Sequence, residues 1–197
     1  MFSYFIIYKP FNMLSQFTRE GSHATLADLE FTFPKDVYPV GRLDSDSEGL
    51  LLLTNDKKIN ALLLDPKQKH QRTYLVQAEG DITDKALLEL QKGVEINING
   101  KTHKTLPAKA HKIPEPAEIP ERNPPIRFRK SVPTSWIQLT LTEGKNRQVR
   151  RMTAKTGFPT LRLIRIQMEQ LTLSPLKPGD VMELDRNTVY EKLGLKM

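Results

Sequence analysis

A chain of 197 residues, 38% hydrophobic and 27% charged, has enough apolar content to bury a core, which excludes a disordered chain and fits one large domain or two lobes sharing a core. It contains no cysteine, so disulfides, thiolate-bound zinc, iron–sulfur clusters and thiolate nucleophiles are excluded. The net charge of +7 is concentrated: residues 127–165 hold ten Lys and Arg against one acid, Glu143, a balance of +9 that leaves −2 for the rest and points to a polyanionic partner.

Residues 2–8 are apolar, lack a basic leader segment and read as a buried strand stopped by Pro10, not as a signal peptide. No apolar run approaches the roughly 20 residues of a membrane-spanning helix, and a cytoplasmic location is expected. Residues 25–31 are expected as a short helix and 50–53 as a short apolar strand. Asn55 or Asp56 then caps a helix to about Leu64, ended by Asp65-Pro66. Residues 72–79 alternate as a strand, with Tyr74, Val76 and Ala78 on one face. Thr83 caps a helix to Lys92, Gly93 takes the left-handed position after it, and Asn99-Gly100 is a hairpin turn.

Five prolines between 114 and 125 predict an extended, irregular loop. A strand over 136–142, a helix over 145–156 and a long strand or bent hairpin over 161–173 follow, and Pro178-Gly179-Asp180 turns into a last strand. Strands and helices mix without a regular βαβ rhythm, so the expected class is α+β with a mixed, largely antiparallel sheet.

Two regions carry chemistry. Gly41-Arg42-Leu43-Asp44 places a carboxylate on a loop between apolar segments, and Glu143 to Met152 is dense in arginine. A buried carboxylate stays ionised only beside a cation, so the two are expected to be partners. On a helical wheel with Arg147 at zero, Val149 and Met152 fall at roughly 200° and 140°, the core face, while Arg150, Arg147, Arg151 and Lys155 share the opposite arc. No acid lies on that helix to pair with them. Arg150, at the edge of the arc, is the cation expected to turn inward to the carboxylate; Arg147, Arg151 and Lys155 are expected to face phosphate. Arg129 and Lys130, at the end of the proline-rich loop, are further candidates for contact with the polyanion.

Asp44, Asp46 and Glu48 imitate a calcium loop, but Asn55 stands where the bidentate Glu belongs and Leu50 to Leu53 are too apolar for an open loop. Gly144-Lys145 lacks the upstream glycine of a phosphate-binding loop, and His23, His70, His103 and His111 show no metal-ligand spacing. No metal or cofactor is expected.

Lys9-Pro10, the stretch 41–55, Arg72-Thr73-Tyr74-Leu75-Val76, the Asn123-Pro124-Pro125 block, 130–136, 143–152 and 157–165 together resemble the RsuA-like branch of pseudouridine synthases over almost the whole chain. The resemblance implies one catalytic domain over 1–197, a mixed sheet spanning two lobes with the active cleft between them, and no cofactor. Relatives commonly carry an N-terminal S4-type RNA-binding domain. Here the motifs begin at Lys9, and its expected absence narrows the resemblance to members acting on large-subunit (23S) ribosomal RNA. Asp44 matches the catalytic aspartate, Tyr74 the tyrosine that stacks on the target base, and Arg150 the basic partner of the aspartate. Arg42 matches the residue that fills the gap left by the flipped nucleotide, and Leu163 the lining of the base pocket. The alternatives are the same chemistry on small-subunit RNA or tRNA, or a catalytically silent RNA-binding ribosome-assembly factor. A monomer is expected.

Overall fold

The apolar run near the start of the chain becomes strand β1 (Tyr4–Lys9), every residue of which is buried. In the computed structural model, which describes residues 2–126 and 132–196, β2 (Met13–Leu14), β3 (Ala24–Thr25), β4 (Tyr38–Pro39), β5 (Glu48–Thr54) and α1 (Lys57–Leu64) follow. Next come β6 (Arg72–Glu79), α2 (Asp84–Lys92), the hairpin β7 (Glu95–Ile98) and β8 (Lys101–Lys104), β9 (Lys109–Ile113), β10 (Thr134–Leu141) and α3 (Gln148–Lys155). The chain closes with β11 (Thr160–Met168), β12 (Leu171–Thr172), β13 (Val181–Leu184) and α4 (Arg186–Lys192). Arg127, Arg129 and Lys130 lie outside the described residues. The class is α+β with mixed, largely antiparallel pairing. No helix among the described residues is long and apolar enough to cross a membrane.

The chain divides into two compact units, with one boundary just before β6 and the other inside β11. The first comprises residues up to 70 and from 164 onward. Its strands run in the order β13-β1-β5-β11, antiparallel except for the β5–β11 pair. Both β1 and β5 are buried throughout, as expected of strands covered on both faces. Phe5, Ile7, Leu26, Leu43, Leu51 and Leu53 form the core. Asp56 caps α1 by accepting from the Lys58 amide at 3.0 Å.

The second unit, residues 71–163, holds the antiparallel sheet β6-β10-β9 and the β7–β8 hairpin. Asn99 and Gly100 turn that hairpin with φ of 50° and 82°, the left-handed pair a tight two-residue hairpin requires. Val76, Leu90, Ile137, Leu139, Met152 and Leu163 lie in its core. Thr73 and Leu75 are buried as well as Val76 and Ala78, so β6 is covered on both faces.

Local chemistry explains where the elements depart from expectation. The helix expected over 25–31 is a single 3₁₀ turn, Leu26–Asp28: the Asp28 carboxylate accepts from the amide and the hydroxyl of Thr25 at its start, but Leu29 is already extended, with ψ 145°. The strand expected over 50–53 extends to Glu48 and Thr54, both buried. The helix expected from 145 begins only at Gln148, since Arg147 is left-handed. Gly93 has a φ of 81° but a ψ of 148°, so it does not close α2 with a left-handed turn. The 161–173 stretch is the hairpin of β11 and β12, which pair antiparallel. Strand β9 and helix α4 were not expected; Asp185, which accepts from the Thr188 amide at 2.9 Å, is the cap that signals α4.

Candidate active site

In the first unit the loop carrying Asp44 is fixed on both sides. Before it, Leu43 is buried in the core, and Ser15 Oγ both donates to the Leu43 carbonyl (2.8 Å) and accepts from its amide (3.0 Å). After it, the Ser45 carbonyl accepts from the Asn12 amide at 2.8 Å, and the Ser47 amide donates to the Asp44 carbonyl at 3.0 Å. Asp44 itself is half-buried on this braced turn. Arg42 is exposed, with Nη2 3.4 Å from Gln16 Oε1.

Lys9, outside the expected set of site residues, is fully buried beneath the loop. Its ammonium donates to the carbonyls of Pro10 (2.8 Å), Met13 (2.7 Å) and Ser45 (3.4 Å). Burial pushes its pKa down to about 7, aided by the Arg165 charge and resisted by Glu48, Asp46 and Asp44. Nothing in period or spacing marks it, since a lysine at the end of an apolar strand is ordinarily solvated. Arg165 is buried too, its Nε donating to the Leu50 carbonyl at 2.8 Å.

Parallel β5 and β11 meet at Gly49, which pairs with Arg165. A Cβ on Gly49 would overlap the Arg165 carbonyl, and its φ of 104° disfavours any side chain. That glycine lets the strand leaving the Asp44 loop pack without a bulge of side-chain atoms.

The second unit gathers three other expected residues around one core. Tyr74, on β6, is half-buried against a cluster that includes Leu163, Val149 and Met152. Val149 and Met152 are the buried face of α3, as the wheel predicts. Arg150 is half-buried on that helix, its Nη1 donating to the Thr160 carbonyl at 3.3 Å. Arg147 and Lys155 are exposed. Arg151 is engaged locally: its guanidinium donates to the carbonyls of Asn146 (3.1 Å) and Asn97 (2.5 Å) and to Asn146 Oδ1 (3.2 Å).

Among the described residues no group of three or more His, Asp or Glu is arranged to hold a metal ion. What the two units offer is a braced carboxylate in one, and a tyrosine ring, an arginine and an apolar floor in the other. A carboxylate suits acid–base or nucleophilic chemistry, and a half-buried tyrosine ring suits stacking on another ring.

Comparison with known proteins bears on that chemistry. A family model described as RNA pseudouridylate synthase matches residues 3–155. The chain is 51% identical to the "Ribosomal large subunit pseudouridine synthase E" of Vibrio parahaemolyticus, over 91% of this chain and 72% of that protein. The protein of that name from Xanthomonas campestris is 44% identical, over 88% of this chain and 91% of its own length. Among solved structures, a "Crystal structure of pseudouridylate synthase" superposes with a TM-score of 0.79 at 25% identity, covering 98% of this chain and 74% of that one. By these matches in family model, sequence and fold, the chain belongs to the RNA pseudouridylate synthase family.

Proposed function

We propose that this chain isomerises uridine to pseudouridine in large-subunit ribosomal RNA and that Asp44 is its catalytic carboxylate. The observation that carries the assignment of Asp44 is its loop, braced by Ser15, Asn12 and Lys9 inside the stretch matched to the family. Identities of 51% and 44% to relatives named for the large ribosomal subunit support the substrate.

The reaction breaks the N1–C1′ bond, turns the uracil, joins C5 to C1′ and moves the C5 proton away while N1 gains one. Atoms and oxidation state balance without a donor or an electron carrier. An ionised aspartate serves as nucleophile at C1′ or C6, or as base at C2′. The target nucleotide leaves the helical stack at a cost of a few kcal/mol. Stacking of its base on the Tyr74 ring offsets that cost, since such contacts are worth roughly 1–3 kcal/mol. Arg150 is the catalytic cation, Leu163 lines the base pocket, Arg42 fills the space the base vacates, and Arg147 and Lys155 neutralise phosphates.

The test is tritium release from large-subunit ribosomal RNA transcribed with [5-³H]uridine. Release by the purified protein supports the activity, and no release from any RNA overturns it. Pseudouridine maps of ribosomal and transfer RNA, with and without the gene, test the substrate. A site missing only from small-subunit RNA or tRNA refutes it.

A further inference from the structure

The segment between β10 and α3 is exposed yet tied down at both ends. Residues 144–147 are exposed and present Lys145, Asn146 and Arg147 to solvent. Immediately before them, the Glu143 side chain is only 10% exposed. Its Oε1 accepts from the Leu106 amide and from Gln148 Nε2, both at 2.7 Å, and its Oε2 is hydrogen-bonded to His103 Nε2 at 3.1 Å. Gln148, itself buried, uses its Oε1 to accept from the Lys145 amide at 2.9 Å, while its own amide donates to the Lys145 carbonyl at 3.1 Å. Gln148 and Lys145 therefore close the loop reciprocally, and Glu143 holds Gln148 from the other end.

From the other side, Arg151 draws Asn146 in through the carbonyl and Oδ1, and reaches Asn97 in the β7–β8 hairpin. His103, in the same hairpin, holds Glu143. Between these ties Arg147 is left-handed, with φ 50° and ψ 33°, a conformation a non-glycine residue keeps only when its surroundings impose it.

We infer that Glu143, Gln148 and Arg151 are positioning residues that hold the basic loop 144–147 in one shape for the RNA backbone, the β7–β8 hairpin serving as their anchor. The inference rests on the proposed RNA substrate. Two cations and an amide on a rigid loop meet phosphates with little ordering entropy left to lose, whereas a mobile loop would lose it on binding. On this reading Arg151 contributes to RNA binding through Asn146 and Arg147 and does not touch phosphate.

The sign of the Glu143→Gln effect separates positioning from charge. Removing an acid beside a basic loop should strengthen polyanion binding if only charge matters. Positioning predicts the opposite, because a glutamine has one acceptor oxygen where the carboxylate has two: its amide either meets the donors of Leu106 and Gln148 or turns to His103 and gives up the charge-assisted contact there. The expected result is about a tenfold rise in Kd for in vitro transcribed large-subunit ribosomal RNA, with the single-turnover rate at saturation within about twofold of wild type. Arg151→Gln should weaken binding similarly from the other end, which keeps the test alive should one variant fail to fold. In a Lys145→Ala/Arg147→Ala background both effects should shrink to a small remainder, since of the three groups on the loop only the Asn146 amide is left to position. Unchanged or tighter binding by Glu143→Gln and Arg151→Gln overturns the inference, as do full-sized effects that persist in that background. Wild-type affinity in Lys145→Ala/Arg147→Ala does the same. Failure of the wild-type protein to release tritium from this RNA would instead refute the proposed function, and the two failures read out separately.

Discussion

Tyr190, in the last helix, donates its hydroxyl to the carboxylate of Asp56 at 2.7 Å across 134 positions of chain. Tyr4 of the first strand donates to the same oxygen at 3.0 Å, and the other oxygen caps α1. One buried carboxylate thus joins β1, α1 and α4. Asp56→Ala should destabilise the protein by roughly 3–5 kcal/mol, since it removes charge-assisted hydrogen bonds and orphans two tyrosine hydroxyls. Burial alone would raise the Asp56 pKa, but the bonds from Tyr190, Tyr4 and Lys58 and the Arg186 charge more than reverse this, so it lies below 3.8. The stabilisation is therefore complete above the ordinary value and lost as the pH falls through the lower folded value. Urea unfolding of wild type and Asp56→Asn should show a stability gap at neutral pH that narrows once the pH drops below about 4. A gap independent of pH would mean that Asp56 is not ionised in the folded state.

Gly49→Ala should be far more damaging than its one added methyl implies. The new Cβ would overlap backbone atoms of Arg165, not the yielding end of a side chain, and φ would remain at 104°. A loss of about 3 kcal/mol or more is expected, read as a fall in Tm or in soluble yield. A variant as stable as wild type would show that β5 and β11 can separate there without penalty.

Some of this was legible in the sequence because it is local. The bounds of β6, a cap at Asn55 or Asp56 and the Asn99-Gly100 turn follow from alternation, a capping side chain and a left-handed pair, each set by a few adjacent residues; only the structure decides the cap for Asp56. Val149 and Met152 were readable as the buried face of α3 because helical period alone places them. The start of α3 was not, since Arg147 is left-handed and the Lys145 amide is taken by the Gln148 side chain, neither of which helical period reveals. At the site, Asp44 was readable as a carboxylate on a loop. Ser15 and Lys9, which brace that loop from 28 and 36 positions away, have no periodic or spacing signal.

Lys9 ties stability to alkaline pH. Its folded pKa of about 7 lies below the ordinary 10.5, so between those values the unfolded chain holds a proton that the folded protein gives up. Stability relative to a Lys9→Met variant should therefore rise from pH 7 to 10, by at most roughly 1.4 kcal/mol per pH unit. Below pH 7 both states are protonated and the slope should disappear. Chemical denaturation of the pair across this range is the measurement. A flat difference would mean that the three carbonyl acceptors keep the proton on Lys9 against the effect of burial.

Tyr74→Phe keeps a ring packed against Leu163 and its neighbours and removes only the hydroxyl. RNA affinity should survive within about threefold, while the single-turnover rate should fall if the hydroxyl takes part in proton removal at C5. Comparison with Tyr74→Ala completes the test. Full activity in the phenylalanine variant together with loss in the alanine variant would leave Tyr74 a stacking platform and no more.

Asp44→Asn is the decisive variant for the chemistry. The substitution is nearly isosteric, and the ties that brace the loop run through the backbone of Leu43, Asp44 and Ser45, which the change does not alter. Folding and RNA affinity should therefore be retained, and loss of a negative charge should if anything tighten binding to a polyanion. Single-turnover tritium release should fall by at least roughly 10⁴-fold, because an amide serves neither as nucleophile nor as base. Asp44→Glu restores the charge but displaces the carboxylate by one methylene from a backbone that cannot shift to compensate, so it too should be severely impaired. Peptide mass spectrometry of the purified Asp44→Asn variant excludes deamidation of the introduced amide back to the carboxylate. Turnover by such a preparation would move the catalytic role from Asp44 to another carboxylate, with Asp46, two positions along the same loop, the first to test.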